Sequence, residues 1–442
     1  MKTMEYSCTL DMASRDRGAF RYDEQPCVDP FHRDILKLCL QSFIENIVLM
    51  ETTMNVSIDY GKRLKKIRGE MAAKNIDVFI GTRTVSLTYT AGAFIPWRSA
   101  VVISKDGYAG LVTMLIDNAR LNSESWLDTI TPYAPIPGLD LLDIVVSQIR
   151  GNGWDKAVIG VELGHSPRGN TGYLFATEYE FLLKSLPEAT FVNALEVMDR
   201  ASYIKEPEEI LLLRQASAIT DAGMERVKES LYVGICETEI AGIGEMELRR
   251  LGSEYHWAVT GSSEIASGYR ATFPNNGTTQ PTQKVVQKGE NIIVDLHSCY
   301  HQYLGDLAHN FILGQPTREQ EKLADAYLNI AETIISSFKD GNTVGQAHKT
   351  ISAKIDALGY TGCVIPSFGH GLGVLGHEWY PAIIDNDEFR DVVLEENAVE
   401  VAFIAMSVPG VAGMRLECPI LVTKEGGEPL CKTPLALTVL DE

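Results

Sequence analysis

Two apolar runs joined by a short polar tip make up residues 291–311, and each run carries one aspartate, Asp295 or Asp306. This pattern predicts a β-hairpin that turns near Tyr300 and His301. In that register the two aspartates lie directly opposite each other, with their Cα atoms about 5 Å apart. Two carboxylates at this distance repel each other unless a cation or a proton lies between them. The stretch alone leaves two interpretations open, a metal site or a pair of exposed strand carboxylates.

Size, charge and cysteine content limit the class of protein. The chain has 442 residues, too many for one hydrophobic core, which predicts two or three domains. A net charge of −20 argues against nucleic acid and anionic membrane surfaces as partners. No apolar run approaches the roughly 18 residues of a membrane span, and the polar start does not resemble a secretory signal. Eight cysteines without a CxxC pair are typical of free thiols in a reducing compartment, so we expect a cytoplasmic protein.

Residues 1–56 are predicted to form an extension that precedes the first domain. Within them, residues 32–50 have apolar positions close to helical spacing, which indicates an amphipathic helix. This helix is either a docking surface or a segment outside the natural domain, because Met54 offers an alternative start. Residues 57–200 alternate helices with short β-rich runs, which predicts an α/β domain.

A helix that begins after Asp59 is the clearest element of this α/β domain, because Leu64, Ile67 and Met71 share one of its faces. No predicted element of the domain carries a set of catalytic side chains. Two further helices are predicted, at 141–149 and 177–186. Five strands are predicted, at 76–80, 99–103, 109–114, 157–161 and 189–192.

Residues 201–442 are predicted to form a second domain that mixes helices and strands. Its first helix begins at Pro207, and the two glutamates that follow suit the positive end of the helix dipole. A strand after Ser262 leads into a loop. Further helices are predicted at 237–251, 317–338 and 344–358, and further strands at 394–411 and 413–422.

The second domain contains the residues that carry chemistry. Asp295, Asp306, His370 and Glu417 offer three carboxylates and one imidazole on or beside strands. Such a set suits Mn²⁺, Fe²⁺, Co²⁺ or Zn²⁺. His377 follows His370 by seven residues in a glycine-rich loop, where it could exchange a proton with a substrate. A lone histidine is usually structural, but this combination predicts a functional site.

These motifs carry a resemblance to a known family. The Asp-x10-Asp hairpin, the GHGLG segment with His370, the HE pair at 377–378 and the MRLE segment with Glu417 resemble the pita-bread metallopeptidases. That family includes Xaa-Pro aminopeptidase, Xaa-Pro dipeptidase (prolidase), methionine aminopeptidase and the metal-free relative creatinase. The α/β domain is similar to the creatinase/prolidase N-terminal domain, so the resemblance covers residues 57–442. It implies an α/β N-terminal domain, an α+β pita-bread domain over residues 201–442, and a homodimer.

The resemblance also implies roles for individual residues. His377 corresponds to a histidine that contacts the substrate or the tetrahedral intermediate, and Arg415 to an arginine near the site. We therefore take both as catalytic candidates. Four residues correspond to four of the five ligands of a two-metal centre that activates a bridging water: Asp295, Asp306, His370 and Glu417.

Two positions depart from the family pattern. The fifth ligand of the family is the glutamate of a Glu-Pro-Gly strand, and ungapped counting from both sides places Phe403 there. A benzyl group cannot bind a metal, and Glu400, at odd spacing, points to the other face of the strand. In the family, six residues separate a Ser-Gly pair from a substrate-side histidine; in this chain six residues separate Ser267-Gly268 from Asn275, which cannot transfer a proton. We expect Asn275, Phe403 and His377 to shape the substrate pocket.

Three functions fit this combination. The first is a metal-dependent hydrolase of a C–N bond in a dipeptide or peptide-derived amide, with one or two divalent ions. The second is creatinase-like hydrolysis or a lyase reaction on a small zwitterionic metabolite, with a pocket reshaped by Phe403 and Asn275. The third is a family member that has kept the pocket and lost the chemistry. The presence of His370, His377 and Glu417 together argues against this third function.

Overall fold

The computed structural model of the protein describes residues 56–164, 172–254, 261–273 and 279–441. Asn275 and the amphipathic segment 32–50 lie outside these ranges. The described residues contain two β-sheets, one formed before residue 204 and the other after residue 206. Within these ranges we find no helix that has the length and apolarity that crossing a bilayer demands.

The first sheet has helices on both of its faces. Its six strands are β1 (Val78–Gly81), β2 (Ala100–Ser104), β3 (Ala109–Met114), β4 (Ile130–Tyr133), β5 (Val158–Val161) and β6 (Thr190–Asn193). The helices are α1 (Tyr60–Ala73), α2 (Thr84–Ala91), α3 (Asn118–Glu124), α4 (Leu141–Gly151), α5 (Ala176–Ser185) and α6 (Leu195–Tyr203). The strand order is β4-β3-β2-β1-β5-β6, and β2 runs antiparallel to both of its neighbours while the other pairs are parallel.

Helices α1 and α2 show why one element of this domain can be predicted from sequence and another cannot. The side chain of Asp59 accepts a hydrogen bond from the backbone N–H of Lys62 at the start of α1, and the predicted apolar face is buried. Helix α2 is absent from the predicted elements. Its residues from Val85 to Ala91 are all buried, so the sequence lacks the alternation of apolar and polar faces by which amphipathic helices are identified. Helices α3 and α6 and strand β4 are also absent from the predicted elements.

The second sheet has eight strands. They are β7 (Glu264–Ser267), β8 (Asn291–Tyr300), β9 (Tyr303–Leu313), β10 (Gly369–Gly371), β11 (Val399–Val408), β12 (Ala412–Val422), β13 (Gly427–Pro429) and β14 (Leu437–Leu440). The main strand order is β10-β11-β12-β9-β8-β7, with β13 paired to β12 and β14 paired to β9. The helices of this part are α7 (Pro207–Ser230), α8 (Glu237–Arg250), α9 (Arg318–Ser337) and α10 (Val344–Leu358).

Long helices cover one face of this second sheet. Helix α7 packs against β8 and β9, and α9 packs against β11 and β12. The hydroxyl groups of Thr220 on α7 and Ser298 on β8 form a buried hydrogen bond of 2.9 Å. Because successive strand residues alternate between faces, Ser298 on the helix side places Asp295 and His297 on the opposite side.

The hairpin of β8 and β9 turns one residue later than predicted. His301 and Gln302 form the turn, both with positive φ (48° and 68°), as a two-residue type I′ turn requires. The predicted pairing of Asp295 with Asp306 is therefore wrong, because Asp295 pairs with Ala308 and Asp306 pairs with His297. The shift moves each partner by two residues, so every side chain keeps its predicted face.

Hydrogen bonds to Glu254 stabilise the turn at His301 and Gln302, a position that the sequence does not predict. Left-handed backbone is unfavourable for residues other than glycine, and neither His301 nor Gln302 is a typical turn residue. The backbone N–H and the side-chain amide of Gln302 both donate to the carboxylate of Glu254, at 3.1 and 3.0 Å. This long-range contact offsets the unfavourable backbone conformation of the turn. It cannot be predicted from local sequence patterns.

Packing of the hairpin on α7 yields a stability prediction at Gly305. A Cβ atom there would lie 2.3 Å from Oγ1 of Thr220, 2.5 Å from Oγ of Ser298 and 2.8 Å from the carbonyl oxygen of Ala216. We expect Gly305→Ala to lower the free energy of unfolding by about 1–3 kcal/mol, measured by chemical denaturation with a chelator present. Gly151→Ala is the control, because Gly151 has no atom within 4 Å of its added Cβ. Equal stability of the two variants would contradict this packing.

Candidate metal centre

Six neighbouring strands of the second sheet each place a residue on the face opposite α7. Directly paired residues of adjacent antiparallel strands point to the same side of a sheet, so the register alone brings these residues together. In order across the sheet the pairs are Glu264 with Asp295, His297 with Asp306, Ala308 with Glu417, Glu417 with Phe403, and Val401 with His370. Carboxylates and imidazoles from five strands thus meet on one face.

The side chains of four of these residues form a compact cluster. Asp295, His297, Asp306 and Glu417 are buried, and one ligand atom from each lies within 4.8 Å of those of the other three. Nε2 of His297 is 3.3 Å from Oδ1 of Asp295 and 3.7 Å from Oδ1 of Asp306. On the other side of the cluster, Nε2 of His370 is 4.0 Å from Oδ2 of Asp306. Asp306 therefore lies between two imidazoles.

Burial makes the negative charges of this cluster unfavourable. It raises the pKa of Asp306 well above its usual range, and the charge of Asp295 raises it further. The pKa of Glu417 is raised well above its usual range by burial and then by the charges of Asp295 and Asp306. When both acids are ionised, neither oxygen of Asp306 has a hydrogen-bond donor among the described residues. These carboxyl groups require either protons or a cation.

Arg415 compensates part of this charge. Its Nη1 donates to Oε2 of Glu264 at 2.6 Å and to Oδ2 of Asp295 at 2.9 Å. Burial disfavours the charged guanidinium, but the carboxylates of Asp295, Glu417 and Glu264 outweigh this effect and raise the pKa of Arg415. The side chain of Asn310 bonds both the backbone N–H and the carbonyl oxygen of Arg415. Arg415 is thus held in place, and it orients Asp295.

His370 presents a lone pair to the cluster. Burial lowers its pKa to about 4, so its imidazole is neutral near pH 7. Nδ1 lies 3.1 Å from the carbonyl oxygen of Gly371, which can only accept, so Nδ1 carries the proton and Nε2 carries the lone pair. Nε2 has no hydrogen-bond partner among the described residues and lies near an oxygen of Asp306. A lone pair facing a carboxylate across 4.0 Å fits a cation between them.

His377 lies beside His370 on the loop after β10. The centroids of the two rings are 4.3 Å apart, and the ring of His377 stacks on Trp379 with centroids 5.0 Å apart. Burial lowers the pKa of His377 well below its usual value, and the neighbouring His370 lowers it further. His377 is therefore a neutral imidazole near pH 7, able to donate one hydrogen bond and accept another.

A buried ion pair holds the loop that carries His377. Nζ of Lys205 donates to Oε2 of Glu378 at 2.8 Å and to the carbonyl oxygen of Ser202 at 2.7 Å. Oε1 of Glu378 accepts a hydrogen bond from the backbone N–H of Val374 at 3.0 Å. Because Ser202 belongs to α6, the position of His377 depends on residues from both halves of the chain.

A cavity of about 630 Å³ opens next to His377. His377 and Trp379 line it from the second half of the chain, and Arg83, Tyr173 and Arg200 line it from the first. Its volume is within the range of small-molecule sites in proteins. His377 lines the cavity and its ring packs against that of His370, so one side chain separates the cavity from His370.

The structure brings together the four predicted metal donors, which share one face of the second sheet. It places Arg415 against Asp295 and His377 at the cavity. Phe403 on β11 is partly buried and lies directly opposite Glu417 on β12. A glutamate at position 403 would therefore have pointed into the cluster. Glu400 is buried on the other face of β11, where its pKa is raised by burial. Carboxylates with an imidazole are suitable ligands for a divalent cation, so the residues present fit one.

Three residues of the site are missing from the sequence prediction. His297 follows Asp295 by two residues in a strand, and this spacing alone places both on one face. The signal was therefore present in the sequence. Glu264 and Trp379 had no such signal, because they reach the site through strand pairing and loop packing between distant segments.

Two family models match the chain. The Creatinase/Prolidase N-terminal domain matches residues 63–204, and Metallopeptidase family M24 matches residues 212–424. The first range contains most of the six-stranded sheet and its helices. The second contains all the residues of the cluster.

Individual proteins match over most of the chain. The Xaa-Pro dipeptidase of Pyrococcus horikoshii is 28% identical over 372 residues, which cover 84% of this chain and 97% of that protein. The ectoine hydrolase of Halomonas elongata is 23% identical over 408 residues, covering 86% and 97%. The solved Xaa-Pro dipeptidase from Bacillus anthracis has a TM-score of 0.73 and 24% identity, covering 86% of this chain and 100% of that one. These matches confirm the predicted fold class, an α/β N-terminal domain with an α+β pita-bread domain.

The raised pKa of Asp306 predicts a pH-dependent stability in the metal-free protein. A carboxyl group whose pKa is higher in the folded state stabilises the fold below its unfolded pKa and loses this contribution as pH rises through the folded pKa. Asp306→Asn keeps the side chain neutral. In chelator, we expect the variant to exceed the wild type in free energy of unfolding by about 1 kcal/mol or more at pH 8, and to match it near pH 4.

Two controls accompany this measurement. Asp387→Asn removes a carboxylate that is 99% exposed and should follow the wild type at every pH. Saturating Co²⁺ should stabilise the wild type more than Asp306→Asn, because the variant has lost a ligand. Parallel pH profiles of the wild type and Asp306→Asn in chelator would contradict the burial of this charge.

Proposed function

Because the chain belongs to the M24 metallopeptidase family, we propose that it is a metal-dependent hydrolase of a C–N bond in a small substrate. Within this class we propose an Xaa-Pro peptidase-like activity on a dipeptide. One observation carries the proposal, which is the convergence of buried carboxyl and imidazole groups on one face of the second sheet. The guanidinium of Arg415 balances part of their charge, and a divalent cation is suited to balance the rest.

Four residues would hold one or two ions of Mn²⁺, Fe²⁺, Co²⁺ or Zn²⁺: Asp295, Asp306, His370 and Glu417. When bound, such an ion supplies Lewis acidity, which polarises an amide carbonyl and makes water more acidic. The protein fixes the ligands beforehand. Arg415 orients Asp295, and the carbonyl of Gly371 orients His370.

His377 is the residue that we assign to the substrate. Its neutral imidazole lines the cavity and can donate a hydrogen bond to an amide carbonyl oxygen or to a leaving nitrogen. Trp379 stacks on one face of the ring, and His370 packs beside it, so its orientation is restricted. Asn275, which lies outside the described residues, and Phe403 remain proposed contributors to the substrate pocket.

The cavity supports a small polar substrate. Its lining includes the cationic Arg83 and Arg200 and the acidic Asp199 and Glu196. Arg83 pairs with Asp199 at 2.7 Å and Arg200 pairs with Glu196 at 3.2 Å. These paired charges make the wall of the 630 Å³ cavity polar, which suits a small polar substrate such as a dipeptide.

A second function has specific support. Phe403 occupies the position of a family carboxylate, and the chain is similar over 86% of its length to an ectoine hydrolase. Creatinase-like hydrolysis or a lyase reaction on a small zwitterionic metabolite therefore remains the alternative. An inactive family member is the third possibility, and it predicts neither bound metal nor turnover.

The location and assembly of the protein are also part of the proposal. We propose a cytoplasmic homodimer, on the basis of a cysteine pattern without a CxxC pair and of the family resemblance. Size-exclusion chromatography with light scattering would measure the mass directly against the 48.7 kDa of one chain.

Metal analysis combined with substrate screening separates the three functions. We expect purified protein to contain about one equivalent or more of a transition metal and to cleave Xaa-Pro dipeptides. A chelator should abolish cleavage, and added metal should restore it. Turnover of ectoine or another small zwitterion without dipeptide cleavage would support the alternative. Protein without metal and without turnover on either panel would refute both enzymatic functions.

Phe403→Glu tests whether the missing carboxylate limits the peptidase activity. We expect it to tighten binding of an ion beside His370 and Glu417 by about 10-fold or more and to raise kcat/KM for Xaa-Pro dipeptides. Phe403→Gln is the matched control, because it has the size of glutamate without its charge. If the two variants have equal metal affinity and equal activity, Phe403 does not stand at a metal position.

A further inference from the structure

His297 occupies the centre of the hairpin that carries both aspartates. It shares the face of Asp295, two residues earlier on β8, and it pairs directly with Asp306 on β9. Its side chain is 4% exposed, so it is enclosed with these carboxylates rather than directed to solvent. Directly opposed residues of an antiparallel pair have their Cβ atoms about 5 Å apart, which brings their ends within reach of one ion.

The ring of His297 lies close to a carboxylate oxygen of each aspartate. Nε2 of His297 is 3.3 Å from Asp295 and 3.7 Å from Asp306. Both separations are longer than an ordinary N–H···O hydrogen bond of about 2.7–3.2 Å. Donors that each lie about 2.1 Å from one ion are separated from one another by roughly 3.0–3.5 Å. The 3.3 Å separation from Asp295 is within this range, and the 3.7 Å separation from Asp306 is slightly longer. The other oxygen of Asp295 is the one that accepts from Arg415, so Oδ1 lies toward His297.

The two sides of the cluster are unequal in ligands. On the β8–β9 side, Asp295, His297 and Asp306 supply two carboxylates and one imidazole. Glu417 of β12 lies within 4.8 Å of these three donors. On the β10–β11 side, His370 lies 4.0 Å from Asp306, and Phe403 presents an apolar ring opposite Glu417. The chain thus has an additional imidazole on one side of the cluster and an apolar group on the other.

We propose that His297 is a metal ligand and that the tightest ion binds on the β8–β9 side, between Asp295, His297 and Asp306. An imidazole in place of an oxygen donor favours Fe²⁺, Co²⁺ or Zn²⁺ over Mn²⁺. This inference rests on the proposed function in one respect, that a divalent cation binds this cluster. It goes further by naming a ligand, the stronger of two positions and the preferred class of ion.

Co²⁺ binding tests the proposal without any measurement of catalysis. The chelator-treated protein is titrated with Co²⁺, and binding is followed by visible absorption. We expect His297→Ala to weaken the first equivalent by 10-fold to 100-fold or more, and His370→Ala to weaken mainly the second. Mn²⁺ affinity should change less than Co²⁺ affinity in His297→Ala.

His309→Gln is the matched control. His309 is a buried histidine of the same hairpin, and its position on β9 places it on the face opposite Asp306. Its Nε2 bonds the hydroxyl of Thr438 at 2.7 Å. This variant should bind the first Co²⁺ as the wild type does.

A second measurement keeps the test valid if His297→Ala does not fold. In fully Co²⁺-loaded wild-type protein, shifted imidazole N–H signals in proton NMR count the coordinated histidines. We expect two, for His297 and His370. Coordination by His370 alone, or an unchanged first Co²⁺ affinity in folded His297→Ala, would overturn the inference. Co²⁺ binding through His297 without turnover of any substrate would refute the proposed function and leave this inference standing.

Discussion

Repulsion among buried carboxylates is the interaction on which the second half of the protein depends. Asp306 and Glu417 are removed from water, and Asp295 lies close enough to raise the pKa of both. Arg415 offsets part of this charge through Asp295 and Glu264. A sheet that collects acids in this way requires protons or a cation, so binding of the proposed metal ion would be linked to fold stability.

Strand alternation explains why the shared face of the four proposed metal donors could be predicted while their strand pairing could not. Which face of a strand a residue occupies depends only on whether its position is odd or even along that strand. Asp295 and Asp306 therefore keep their faces when the paired residue changes by two positions. Which residues pair across the hairpin depends on the exact position of the turn. The turn at His301 and Gln302 depends on Glu254, 48 residues before Gln302, and local patterns carry no information about it.

Other features differ in whether the sequence contained a usable signal. The spacing of His297 from Asp295 is a usable signal, because residues two apart on a strand share one face. Helix α2 carried no signal, because complete burial removes the periodicity of an amphipathic helix. Trp379 also carried none, since its role arises from stacking on His377 within a loop. The amphipathic helices and the long apolar strands β8, β9 and β12 were thus predictable, whereas the short buried helix α2 and the long-range contacts were not.

The ion pair of Lys205 and Glu378 has a consequence for how this chain can be rearranged. Lys205 joins the end of α6 to the residue that follows His377, so a residue of the inter-sheet linker positions a loop of the site. The two sheets are therefore not interchangeable modules. A chimaera that joins the first sheet of a relative to the second sheet of this chain would need to preserve the lysine, its glutamate and the carbonyl of Ser202. Recombination within this fold is therefore constrained at the junction between its two sheets as well as at the cluster of buried carboxylates and imidazoles.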